Sequence, residues 1–304
     1  MKRRDFLKSG ISVGFVAGTA FTLNPYKKLT ANPFVADYDM VAIRGGEANA
    51  MFDRGMEEFG GMRRFVQKGQ TVVIKPNIGW DAPPERAANT NPDLVARIVS
   101  HCKSAGAKDV YVFDHTCNEW SKCYRNSAIE GAVKKAGGTM VMGNSEKYYH
   151  EVTVPKGISL RSAKVHELIL ESDVFINVPV LKNHGGANMT VAMKNLMGIV
   201  WDRGYWHRND LHQCIADFST WRKPDLTIVD AYRVMKRNGP LGVSVDDVVT
   251  MKAQLIGTDM VALDSAAIKL FGKEPSEVKY VGLAEEMGVG SGNLDNMNIS
   301  RLVL

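Results

Sequence analysis

Apolar and polar positions along this chain follow two alternating periods, and the switches between them delimit its elements. Short runs rich in β-branched and aromatic residues at 40–44, 71–75, 109–114, 139–142, 173–180, 225–230 and 254–257 read as buried strands. Stretches with apolar residues three and four apart read as helices at 48–66, 92–104, 127–136, 190–200, 210–220, 260–271 and 276–287. Asn91-Pro92-Asp93 is a helix start, with a capping side chain and a proline where no backbone donor is needed. Strands alternating with helices imply parallel β-α-β units. The fold class expected is therefore α/β, a mostly parallel sheet flanked by helices in a single domain over 32–304. Residues 147–163 break the rhythm and are expected to form an irregular β-excursion.

The first 31 residues have a different pattern. A basic start, Met1-Lys2-Arg3-Arg4-Asp5-Phe6-Leu7-Lys8, precedes a mildly apolar run from Ile11 to Leu23 and then a small-residue stretch. This is the layout of an export signal. The apolar run falls short of the ~20 residues a spanning helix needs. The paired arginines with Asp5, Phe6, Leu7 and Lys8 resemble the twin-arginine consensus, whose machinery carries folded cargo. Cleavage is expected after Ala31 or after Ala20. The expected location is periplasmic or otherwise extracytoplasmic, with the twin-arginine export machinery as a partner and no stable membrane span in the mature form.

Charge sharpens this division. The whole chain has 38 basic and 33 acidic residues, a formal charge of +5. Residues 1–31 hold six of the basic ones against Asp5 alone, which leaves 32 of each in the remainder. A neutral domain gives no support for nucleic-acid binding, so any positive site must be local. The four cysteines, Cys102, Cys117, Cys123 and Cys214, form no CxxC pair. Cys102 and Cys214 fall in helical patterns as buried thiols. Cys117 and Cys123 lie six apart in a loop-like stretch where a disulfide and two unrelated thiols are both open readings.

In an open α/β sheet ligands gather beyond the carboxyl ends of the strands, and charged and amide residues recur at those places here. Lys75-Pro76-Asn77 ends one strand, Asp114-His115 another, and Asp230 and Thr258-Asp259 two more. The richest stretch runs from Val178 to Gly198, where a strand leads through Lys182-Asn183-His184-Gly185-Gly186 into a helix carrying Lys194-Asn195. Free N–H groups at that helix start, with Lys182, Lys194, Lys75, Asn77 and Asn195, are a candidate anion site for a phosphate or carboxylate. Three converging lysines would repel one another without an anion; each alone is more often a solvated surface residue. His184 is the candidate for acid–base work or metal ligation, with Asp114 as a second catalytic candidate. Asp230 and Asp259 are candidate ligands for a divalent metal, and each alone is also an ordinary helix cap. Asp264 lies within a helix and is a weaker candidate. Trp201–His212 is a candidate lid over the pocket, and Asn238-Gly239-Pro240 a turn framing its mouth.

Lys75-Pro76-Asn77, the Val178–Gly198 stretch, Asp230 with Asn238-Gly239-Pro240, and Thr258-Asp259-Met260-Val261-Ala262-Leu263-Asp264 together resemble the domain-of-unknown-function family numbered 362, over about 38 to 300. The resemblance implies one α/β domain and no particular activity. Some members carry an iron–sulfur module, for which this chain has no cysteine run, so an iron–sulfur cluster is not expected. Three readings follow. One is an exported protein binding a small anionic ligand, with or without a metal, and acting as an enzyme. Another is a non-catalytic cofactor-holding or accessory protein for an exported oxidoreductase. The third is an iron–sulfur redox protein using Cys117 and Cys123.

Overall fold

The computed structural model describes residues 37–304; the leader lies outside the described residues. In chain order the elements are β1 (Met40–Arg44), α1 (Ala48–Glu58), β2 (Thr71–Pro76), α2 (Pro92–Ala105), β3 (Asp109–Val112), α3 (Trp120–Asn126), α4 (Ile129–Lys135) and β4 (Thr139–Met140). Then come β5 (Tyr149–Thr153), β6 (Ser162–His166), α5 (Glu167–Glu171), β7 (Val174–Val178), β8 (Val180–His184), β9 (Asn188–Thr190), α6 (Ala192–Asn195), α7 (Arg203–Arg208) and α8 (Leu211–Ser219). The chain closes with β10 (Leu226–Met235), β11 (Val248–Gly257), α9 (Met260–Phe271), α10 (Lys279–Glu286) and β12 (Ile299–Val303).

The main sheet runs β12-β1-β11-β10-β7-β2-β3-β4, with the hairpin β8-β9 attached to the far end of β10. The run β10-β7-β2-β3-β4 is parallel, as expected, while β11 is antiparallel to both β10 and β1. Alternate strand residues serve opposite helical layers. Val72, Ile74, Val174 and Ile176 pack with Phe52, Leu94 and Ile98 of α1 and α2. Val73, Phe113 and Phe175 face the layer that holds Ile215, Leu263 and Ile268 of α8 and α9. Burial on both faces explains why these strands read as continuous apolar runs.

Several boundaries follow from local chemistry. The helical pattern at 48–66 breaks after Glu58 because Gly60 and Gly61 take positive φ, conformations other residues resist. Asn91 caps α2, its side chain accepting from Asp93 N at 2.9 Å. Strand 173–180 divides at Pro179, which has no N–H for the ladder. β7 stays beside β2, and β8 swings to pair with the end of β10. Residues 181–186, expected as a loop, thus form most of a strand and its turn. The excursion at 147–163 is the antiparallel ribbon β5-β6. Cys123 is buried with its Sγ 3.8 Å from Gly79 O and Cys117 is exposed; both are free thiols, so the disulfide is not formed. No helix among the described residues is long and apolar enough to cross a membrane.

Candidate functional site

β2 and β7 lie in register with Lys75 beside Asn177, so the two side chains leave the sheet on one face. Asn195 of α6 sits over both. Its Nδ2 donates to Asn177 Oδ1 at 2.8 Å and to Lys75 O at 3.3 Å. Lys75 Nζ in turn donates to Asn195 O and Oδ1, both at 2.6 Å. Asp114, just past β3, brings Oδ1 to 3.1 Å from the same ammonium, and its Oδ2 accepts from Ile78 N at 2.6 Å. Lys75 is 1% exposed and Asp114 2%. Burial pulls the amine's pKa down and pushes the carboxyl's up, and the attraction within the pair opposes both shifts.

Lys182 arrives from β8, also sealed from solvent. Its Nζ donates to Asn77 Oδ1 and Pro240 O, each at 3.1 Å, and to Ala88 O. Burial pulls its pKa down to about 7. The turn at 238–240 is held there by close approach: a β-carbon on Gly239 would stand 1.9 Å from Asn183 O. Lys194 is half-buried and donates to no described residue; burial lowers it to about 8, with Arg203 and Lys75 acting in the same direction. These side chains line one small cavity of about 60 Å³ together with His184, Cys117 and Arg203. By the volume of a single water probe, that is room for about four water-sized atoms, the scale of one oxyanion head.

His184 is tied to the backbone of its own turn. Its Nδ1 accepts from Gly186 N and Ala187 N, both at 3.1 Å, which places the ring hydrogen on Nε2. Burial, with Lys194, Lys182 and His207 nearby, depresses its pKa to about 3. The ring is a neutral hydrogen-bond donor at neutral pH, and its cationic surroundings oppose a metal.

The metal candidates are not brought together. Asp230 spends its oxygens on Asn91 N at 2.8 Å and Tyr232 N at 3.0 Å, tying α2 to β10; burial raises it to about 6. Asp259 caps α9 through Val261 N and Ala262 N and also accepts from Ser291 N. Because β11 is antiparallel, with Gly257 opposite Thr227, its end emerges where β10 begins rather than where β10 ends. Among the described residues no cluster of three or more His, Cys, Asp or Glu is placed to hold a metal ion. An iron–sulfur set built on the cysteines also fails on geometry, since Cys102 and Cys214 sit in cores on opposite faces of the sheet.

The helix start at α6 is closed as well. Asp264 reaches across from α9 and accepts from Ala192 N at 2.7 Å and Met193 N at 3.3 Å, so those donors are not free for a ligand. The stretch Trp201–His212 divides: Arg203 reaches this cavity, whereas Trp201, Tyr205 and Trp206 line a separate groove of about 860 Å³, which shares no lining residue with it. Arg203, from the stretch expected as a lid, and Cys117, expected only as a thiol of a loop, also line the cavity. Nothing in the pattern marks Arg203, whose guanidinium is held by carbonyls more than eighty residues away in sequence.

Comparison with known proteins follows from this geometry. A curated relative, the Thylakoid-associated protein sll1697 of Synechocystis sp. (strain ATCC 27184 / PCC 6803 / Kazusa), is 25% identical over 249 residues, covering 77% of this chain and 73% of that protein. Two solved structures are similar at low identity. The lactate racemase apoprotein from Thermoanaerobacterium thermosaccharolyticum gives a TM-score of 0.38 at 14% identity, covering 71% of this chain and 54% of that one. A Thermotoga maritima protein, a target of the Northeast Structural Genomics Consortium, gives 0.47 at 9% identity, covering 78% and 59%. The chain thus spans little more than half the length of either. Residues 72–269 match the family model described as Domain of unknown function (DUF362). That match takes in the strands and α6 that carry Lys75, Asp114, Lys182 and Lys194, and the chain belongs to this family.

Proposed function

We propose that this chain is an exported protein that binds a small oxyanion, a carboxylate or phosphate group, in the cavity formed by Lys75, Lys182 and Lys194. One observation carries the reading: three lysines and Arg203 reach a cavity faced by a single carboxylate, Asp114. Three of these cations are in excess, and in a poorly solvated site such an excess is stabilised by a bound anion. The reaction class is left open, because the residues present suit holding an oxyanion and His184 is not poised to move a proton. Export rests on the leader motif, with its paired Arg3 and Arg4.

Calorimetric titration of the purified protein with sulfate, phosphate and acetate tests the reading. Saturable binding that weakens with salt and disappears in Lys194→Met supports it. Absence of binding by any of the three, or binding indifferent to Lys194→Met, contradicts it. Cell fractionation of an Arg3→Lys/Arg4→Lys variant tests export: retention in the cytoplasm is expected, and unchanged export would refute the twin-arginine route.

A further inference from the structure

Not every cation in the cavity has a hydrogen to offer a ligand. An ammonium has three donors. Two of those of Lys75 go to Asn195 O and Asn195 Oδ1, and the ammonium is ion-paired with Asp114 Oδ1 at 3.1 Å. Those of Lys182 go to Asn77 Oδ1, Pro240 O and Ala88 O. Lys182 is fully committed and Lys75 is engaged by Asn195 and by its ion pair with Asp114, so an anion could reach them only by displacing protein oxygens from sealed positions.

Lys194 is the opposite case, with no hydrogen bond to any described residue. Arg203 is intermediate. Its Nη1 donates to His115 O at 2.7 Å and to Cys117 Sγ at 3.6 Å, and its Nη2 to Thr116 O at 2.8 Å, so two of the five donors of a guanidinium are uncommitted. The two carbonyl bonds fix the fork in place, and the third ties it to Cys117, which lines the same cavity.

We infer that the oxyanion is gripped directly by Lys194 and Arg203 and lies against the sulfur of Cys117, while Lys75 and Lys182 act as fixed sources of positive potential. This rests on the anion-binding reading and assigns its contacts. Arg203 becomes a ligand-binding residue and favours planar or tetrahedral oxyanions that accept two hydrogen bonds side by side. The positive field also falls on the thiol, making Cys117 selective for anionic electrophiles.

Alkylation by iodoacetate and by the neutral iodoacetamide, followed by mass spectrometry of the Cys117 peptide, tests the assignment. In both reactions the sulfur–carbon bond forms, the carbon–iodine bond breaks, iodide leaves and the thiol proton passes to solvent; only the charge of the reagent differs. The iodoacetate-to-iodoacetamide rate ratio at Cys117 is expected to exceed that of a free cysteine peptide by at least about tenfold, the low end of what a cationic cleft does to local anion concentration. Lys194→Met and Arg203→Met should each lower the ratio severalfold and weaken phosphate binding, with Arg203→Lys intermediate. Phosphate should protect Cys117 from both reagents. A ratio equal to that of the peptide overturns the assignment, as does phosphate affinity unchanged in both Lys194→Met and Arg203→Met. If Arg203→Met does not fold, Lys194→Met decides, since it has no hydrogen bond to a described residue to lose. Calorimetry on the unsubstituted protein separates the two levels: no oxyanion binding at all removes the anion site itself, whereas binding indifferent to Lys194 and Arg203 removes only these contacts.

Discussion

Asp114 Oδ1 occupies the place a side chain at Gly198 would need: a β-carbon there would stand 1.8 Å from this oxygen and 2.5 Å from Lys75 Nζ. The main chain at 198 is therefore the lid of the buried ion pair, and Gly198 O also accepts from His115 N at 2.9 Å. Gly198→Ala is expected to force the pair apart. Its melting temperature should fall clearly and oxyanion binding should be lost. A variant with unchanged melting and binding would show that the contact is not tight.

The Lys75–Asp114 pair should show strong coupling. Removing one partner of a buried pair leaves an uncompensated charge and costs about 3–5 kcal/mol. Lys75→Met alone is expected to lose that much in denaturant unfolding, and Lys75→Met/Asp114→Asn to recover part of it. Losses that simply add would count against the pair as a unit.

Asp264 gives a pH-dependent signature. Burial raises its pKa to about 8 from the ordinary carboxylate value, ahead of the opposing bonds from Ala192 N and Met193 N. The folded state then holds this proton more tightly than the unfolded chain does. Its contribution to stability is complete below about pH 4 and is lost as pH rises through about 8. Unfolding free energies of wild type and Asp264→Asn between pH 4 and 9 should diverge accordingly, the wild type falling relative to the variant. Parallel curves would place the carboxyl pKa near its ordinary value.

Oxyanion binding should have its own pH limit. Lys194 is lowered to about 8 and Lys182 to about 7. Both favour the anion only when protonated, and the anion in turn raises their pKa values. Sulfate, whose charge is constant over this range, should bind with an affinity that declines as pH rises past about 8. An affinity flat from pH 6 to pH 10 would exclude these amines as the source of the positive charge that holds the anion.

Much of the architecture was legible in the pattern of residues, and the failures have physical causes. β1 and α9 begin and end where their periodicity does, because each buries a full apolar face. β8 was hidden because Lys182, Asn183 and His184 carry loop-like polarity, yet their backbone pairs with β9. Lys182, Lys194 and Asn195 do line the cavity, as do Lys75 and Asn77. Asp259 was placed on the wrong edge because strand direction is not written in composition; only the pairing of β11 with β10 reveals it. The α6 start looked free because its partner, Asp264, lies about seventy residues further on. Arg203 falls within the stretch expected over the pocket, but nothing distinguished it there, since backbone carbonyls, not a motif, hold it.

The most direct test of the central claim is sulfate titration of wild type and Lys194→Met near neutral pH, with thermal melts alongside. Lys194 makes no hydrogen bond within the described protein, so a surface-like stability change of about 0.5 kcal/mol or less is expected. The account predicts matching melts and binding in the wild type only. Equal sulfate affinity in the two proteins would contradict it.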